Sequence, residues 1–268
     1  MVVNDLGGTA EGHGADSGPA AEVVEHIVAS GGAAVADGSD IATEDGARTV
    51  IETALSSFGR IDVLINNAGI IEWAGFPEAD VDNLSRHLAV HTVGSFNTAR
   101  AAWPHMCGQE YGRIVMTTSS GVFGLPTNTS YATAKGGVIG LARSLATAGR
   151  RLGITVNLIA PAAMTRMAGG GDAAQSAAMA PELVAPMAAY LAHESCPVTG
   201  EMYAAGAGRF ARVFIASTPG YVHEGAEPSM EDIAAHWAAI NDETGYSVPR
   251  YLGAWSKVFL DHLDAGES

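Results

Sequence analysis

Continuous apolar runs are the feature that most constrains how this chain can fold. Ile61-Asp62-Val63-Leu64-Ile65, Arg113-Ile114-Val115-Met116 and residues 155–159 are strand-length, with too little alternation to leave one face in water. Such runs suit a parallel sheet covered on both faces. Helical patterns separate them, at 44–58, 82–106 and 131–148. The last carries Val138, Ile139, Leu141, Ala142 and Leu145 on one side. The second reads as interrupted around Gly94 and ending near Pro104. Strands and helices alternating at this length build right-handed βαβ units, and hence a three-layer α/β fold with a doubly wound, Rossmann-like sheet.

The flanking segments extend the pattern. Residues 1–5 read as a short buried strand ending in Asp5, followed by a glycine-rich loop at 6–18. A helix at 19–30 takes Ser17 as its cap and Pro19 in its first turn, and Gly31-Gly32 ends it. A strand at 33–36 follows, with Asp40 just past its end. Beyond the strand at 155–159 lie an Ala/Gly/Met-rich segment (162–180), a helix (181–193) and a last strand (201–206). We divide the chain into a domain at 1–208 and an extension at 209–268, packing on that domain or on a neighbouring subunit. A helix beginning at Ser229 carries Ile233, Trp237 and Ile240 at helical spacing, which suits core or subunit contact.

The chemistry concentrates between Thr117 and Gly137. A hydroxyl cluster (Thr117, Thr118, Ser119, Ser120) ends one strand, and the next helix carries Tyr131 and Lys135 on one face. An ammonium beside a phenol favours the phenolate, so Lys135 is expected to lower the Tyr131 pKa toward working pH. Asn66-Asn67-Ala68-Gly69 follows an apolar strand, Asn157-Leu158-Ile159-Ala160-Pro161 follows the helix, and Thr165 lies beyond. In this order the marks resemble the short-chain dehydrogenase/reductase family.

That resemblance implies a set of roles. Ser119 would hydrogen-bond the substrate oxygen, although counting back from Tyr131 gives Thr118 and Ser120 is adjacent. Tyr131 would exchange the proton, and Lys135 would bind the nicotinamide ribose. His91 stands where the family often has a relay asparagine, and is both a branch marker and a relay candidate. On the cofactor side, Asp5 would accept the adenosine ribose hydroxyls, predicting NAD over NADP. Asp40 would contact adenine. Asn66 would brace the strands, with Ala68 beside it, and Gly69 would admit the cofactor to the backbone. Pro161 and Thr165 would hold the nicotinamide amide.

The same comparison leaves a gap. Family members begin with a strand and a glycine-rich turn into a helix whose N-terminus receives the pyrophosphate. Here residues 2–8 correspond to the second strand, so the first strand and helix are absent. Gly7, Gly8, Gly12 and Gly14 have the wrong spacing for a substitute turn.

Val-Val-Asn-Asp-Leu-Gly-Gly at the start, Ala101-Ala102-Trp103, Tyr111-Gly112-Arg113-Ile114 and residues 191–196 resemble one branch of the family, the (3R)-hydroxyacyl-CoA dehydrogenases. The implied reaction interconverts a secondary alcohol and a ketone. A 3-hydroxyacyl-CoA is the first choice of substrate and a hydroxysteroid the second. The alternative is a non-catalytic member acting as an oligomer subunit. The family's habit implies a homodimer or homotetramer.

Charge narrows the partners. Lys+Arg 14 against Asp+Glu 29 gives −15, which argues against nucleic acid and anionic membranes. No apolar run approaches the ~18 residues that span a bilayer. Cys107 and Cys196 are isolated and read as reduced, and with no signal peptide read at the start, a cytoplasmic location is expected. The nine histidines are read as scattered and His193-Glu194 as a polar helix end, so no metal is expected.

Overall fold

The computed structural model describes residues 1–165, 167, 172–225 and 227–264. Its strands fall into two sheets. β1 (Val2–Asn4) and β2 (Val35–Asp37) pair in parallel, Val3 opposite Ala36. β3 (Val63–Asn66), β4 (Gly112–Thr117), β5 (Ile154–Pro161), β6 (Met202–Gly206) and β7 (Arg209–Val213) form the second sheet, in that order. β3 to β6 are parallel, with Leu64 opposite Ile114, Ile114 opposite Val156, and Leu158 opposite Met202. β7 returns from β6 through Ala207 and Gly208, both at positive φ (49° and 73°), as a two-residue hairpin requires. This edge strand was not expected from the sequence.

Helices cover the sheets as βαβ connections demand. α2 (Glu44–Phe58), α4 (Gly94–Gln109) and α5 (Thr129–Gly149) form one contiguous layer: α2 packs on β1, β2 and α4, α4 on β3 and β4, and α5 on β4 and β5. On the opposite face α1 (Gly18–Ala29) covers β1 and β2, and α7 (Ala185–Leu191) covers β4 and β5. The central strands are therefore dry on both sides, with Ile114, Val115, Met116, Val156 and Leu158 fully buried. β3 differs. Leu64 and Asn66 are buried, while Val63 and Ile65, on the other face, are 41% and 46% exposed. The sheet breaks between β1 and β3, where the sequence comparison leaves a strand out.

Several boundaries differ from expectation. α3 (Val81–His87) passes into a π-helical segment (Leu88–Val93) before α4 begins at Gly94, so the irregularity precedes the glycine. α4 runs through Pro104 to Gln109, because Ala102 and Met106, on either side of the proline, are fully buried and anchor the last turns. Ser17 makes no cap for α1; the Asp16 carboxylate accepts the Gly18 N–H instead (2.9 Å). The helix expected at 181–193 is a 3-10 turn (Pro181–Leu183) followed by α7. Within 162–180, α6 (Ala173–Ala178) begins at a reciprocal cap between Asp172 and Gln175.

Residues Met1–Arg212 form one compact unit, and a second begins at Val213. In the second, α8 (Met230–Ala235) and α9 (Trp237–Ile240) replace one expected helix. They break at His236, whose Nδ1 lies 2.8 Å from the Asp232 carbonyl. α10 (Leu252–Phe259) stacks Trp255 on Phe259, and α11 (Asp261–Asp264) follows.

Candidate active site

The carboxyl ends of β3, β4 and β5 bring the polar residues together, as expected of a parallel sheet. At the end of β4, neighbouring hydroxyls take different tasks. Thr117 donates to Asn67 Oδ1 (3.2 Å), tying the ends of β4 and β3. Thr118, 1% exposed, donates to the Lys135 carbonyl (2.9 Å). Ser119 accepts the Gly121 N–H (3.0 Å), and its hydroxyl lies near enough to the Tyr131 phenol to favour the phenolate. Ser120 opens a 3-10 turn and is exposed. Of the hydroxyls weighed in the sequence, Ser119 is the one that acts on the Tyr131 phenol.

Lys135 is 3% exposed, and its Nζ donates to the Thr117 carbonyl (2.9 Å) while lying 5.6 Å from the Tyr131 ring centroid. Burial pushes its pKa down to about 7. The Tyr131 phenol is pushed up by burial, against the lowering effect of the nearby Ser119 hydroxyl. This corrects the expectation that Lys135 lowers the Tyr131 pKa. Burial dominates the phenol, and Lys135 is itself half neutralised near pH 7.

His87 and His91 flank the tyrosine. Four residues apart, they form an H-x-x-x-H pair, the spacing of metal ligands, which the reading of scattered histidines overlooked. Their rings stack with centroids 6.1 Å apart, and both nitrogens of His87 are taken by backbone: Nε2 accepts the Glu72 N–H (3.2 Å) and Nδ1 donates to the Asn83 carbonyl (2.8 Å). His91 Nε2 lies 2.8 Å from the Ile70 carbonyl and 3.3 Å from the Ile70 amide nitrogen, so both contacts of this ring nitrogen run to Ile70. Its ring meets Tyr131 edge-on at 5.3 Å. The Nε2 contacts of His91 run to the loop after β3, while its buried Nδ1 has no hydrogen-bond partner among the described residues. The same ring explains Gly69: a Cβ there would lie 2.5 Å from His91 Cε1.

Burial first, and then the charge of Lys135, lower the His91 pKa to about 2; burial lowers that of His87 too. In the unfolded chain these imidazoles protonate near 6.5. Their contribution to stability is therefore complete above pH 6.5 and is lost as pH falls. His91 alone is expected to remove about 2 kcal/mol between pH 7 and pH 5. Urea melts at the two pH values should show this loss, and His91→Asn should flatten the slope; an unchanged slope in the variant would refute the assignment.

The expected cofactor residues divide. Asp5 is exposed at the end of β1, where one carboxylate oxygen accepts the Gly7 N–H (2.7 Å). Asp40 accepts the Ala42 N–H (2.9 Å) and takes the Thr43 hydroxyl on its carbonyl, so it organises the turn into α2. Asn66 links β3 to α4, not strand to strand: it donates to the Ser95 carbonyl (3.3 Å) and accepts from Thr98 (2.8 Å). The strand-bracing asparagine is Asn67, which the sequence reading missed. Ala68 is exposed beside it. Pro161 ends β5 opposite Ala205, and Thr165 is exposed beyond it. The glycine-rich loop folds on itself: Thr9 N–H donates to His13, Gly12 N–H to Thr9, and Asp16 N–H to Leu6. Those donors are not free to cradle a phosphate.

Comparisons with known proteins agree with this geometry. The short chain dehydrogenase family matches residues 13–174. A short-chain type dehydrogenase/reductase of Mycobacterium tuberculosis is 42% identical over 92% of this chain and 87% of its own length. The peroxisomal multifunctional enzyme type 2 of Drosophila melanogaster is 39% identical over 95% of this chain, which spans only 42% of that enzyme. Among solved structures, a short chain dehydrogenase from Mycobacterium avium superposes with a TM-score of 0.78 at 34% identity, covering 91% of this chain and 87% of that one. The full-length Drosophila enzyme gives 0.81 at 30% identity, covering 98% of this chain and 49% of that one.

Proposed function

The chain belongs to the short chain dehydrogenase family, and on that premise we propose that it interconverts a 3-hydroxyacyl-CoA and its 3-ketone with NAD. What carries the reading is the arrangement at the end of β4: the Ser119 hydroxyl, which favours the Tyr131 phenolate, and Lys135 one helical turn on, its Nζ 5.6 Å from the Tyr131 ring centroid. Similarity to a 3-oxoacyl-[acyl-carrier-protein] reductase of Synechocystis, 37% identical over 55% of this chain, favours an acyl thioester over a hydroxysteroid.

The residues at the ends of β1, β3, β4 and β5 suit the adenosine ribose and the nicotinamide half of the cofactor. The pyrophosphate contacts have no counterpart among the described residues. When bound, the nicotinamide ring supplies hydride acceptance or donation. The protein does the rest. Ser119 orients the alcohol oxygen, Tyr131 takes its proton as the carbonyl forms, and Lys135 holds the ribose. Pro161 and Thr165 would flank the amide. Asp5 accepts the adenosine ribose hydroxyls and repels a 2′-phosphate. The molecule would work as a homodimer or homotetramer in the cytoplasm.

The test is turnover of (3R)-hydroxyacyl-CoA esters of graded length, followed by nicotinamide absorbance, with a hydroxysteroid alongside. Turnover of the steroid alone would replace the substrate class, and turnover of neither would reject the reaction. Calorimetric titration of Asp5→Ala should show NAD affinity reduced by about 1.5–3 kcal/mol, tenfold or more, with NADP discrimination relaxed. Unchanged NAD affinity would remove Asp5 from the site. A second reading, a non-catalytic oligomer subunit, is favoured by the break between the two sheets. NAD binding by the wild-type chain would count against it.

A further inference from the structure

We propose that Asn128 is the positioning residue that holds Tyr131 opposite Ser119, by tying the first turn of α5 to the backbone of Glu72. The inference rests on the catalytic reading above. Asn128 is fully buried, and its carboxamide works in two directions. Oδ1 accepts the Tyr131 N–H (3.1 Å), capping α5, while Nδ2 donates to the Glu72 carbonyl (3.0 Å). That carbonyl also accepts Asn83 Nδ2 from α3 (3.3 Å), and the Glu72 N–H donates to His87 (3.2 Å). Residue 72 is thus a junction at which side chains from α3 and from the cap of α5 meet.

Ser119 belongs to neither partner of this junction. It sits at the end of β4, held by the Gly121 N–H. Its approach to Tyr131 is therefore set by where the first turn of α5 is anchored. The Tyr131 ring also meets His87 (6.2 Å) and His91 (5.3 Å) edge-on, on helical segments next to the same junction. A carboxamide is needed because one arm must accept and the other donate. Serine would keep the cap and lose the tether. Aspartate would turn an oxygen toward the Glu72 carbonyl.

The test compares wild type with Asn128→Ser, using tyrosine labelled at Cζ and Tyr131→Phe to assign the resonance. In Asn128→Ser the Tyr131 titration should move up by about half a pH unit or more, as the phenol draws away from the Ser119 hydroxyl. The kcat should fall about 30-fold, with the cofactor KM within twofold, since misplacement by 1 Å can cost about 100-fold. A titration and kcat within twofold of wild type, with only a lower Tm, would make Asn128 an ordinary helix cap and overturn the proposal. If Asn128→Ser fails to fold, Asn83→Ala decides in its place, removing the other carboxamide on the same carbonyl, with smaller shifts in the same directions expected. The resonance reports on Tyr131 without turnover. An inactive wild type would therefore reject the reaction, while the titration alone would still uphold or overturn the placement.

Discussion

Replacing Tyr131 by phenylalanine is expected to lower kcat/KM for the alcohol about 1,000-fold, the scale of a lost acid–base group. The substitution removes one hydroxyl and leaves the ring's edge-on contacts with His87 and His91. Packing and cofactor affinity should therefore survive. The buried phenol has an upward-shifted pKa, so the wild-type rate should still be rising with pH above neutrality. That limb should vanish with the hydroxyl. A pH series of steady-state rates on both proteins is the measurement. A variant retaining more than about a tenth of wild-type activity would mean that another group carries the proton.

Lys135→Met is expected to separate activity from stability. Between pH 7 and 10.5 the unfolded lysine holds its proton while the folded one has lost it, so stability rises with pH through that window. Below pH 7 both are charged and the full penalty applies, about 5 kcal/mol for burying the ammonium. Methionine fills similar volume without the charge, although the Thr117 carbonyl loses its donor. We expect activity to fall at least 100-fold while stability at pH 6.5 rises by about 1–4 kcal/mol, as when buried charges give way to apolar groups. The advantage should shrink by pH 9. Denaturant melts at the two pH values, run beside the rate assay, decide it. A less stable variant, or a fully active one, would contradict the account.

How much of this could be read from sequence follows from what each element buries. β4 and β5 were plain because both faces are dry and their residues are continuously apolar. β7 was missed because Arg209, Phe210, Ala211 and Arg212 are all exposed on an edge, leaving no core pattern to see. Tyr131 and Lys135 stood out because their relation is local, one helical turn. Asn128 did not, because its partner Glu72 lies 56 residues away and nothing near position 128 announces the contact. The exchange of roles between Asn66 and Asn67 has the same origin. Adjacent identical residues on a strand point to opposite faces, and which face meets α4 is settled by packing. Asp40 shows the converse, a residue given a ligand by resemblance whose local backbone already accounts for it.

The divided sheet bears on how the molecule opens. No backbone ladder joins β1 and β2 to β3; that corner is held by α2 and by loop contacts such as Ile71 N–H to the Ala10 carbonyl (2.8 Å). Cooperative units of a native protein separate where backbone pairing stops. The corner carrying Asp5 can therefore unfasten while the block around β4 and β5 stays shut. Any ligand that bridges Asp5 and Lys135 would act as a rivet across the seam, and part of its binding free energy would go into closing it.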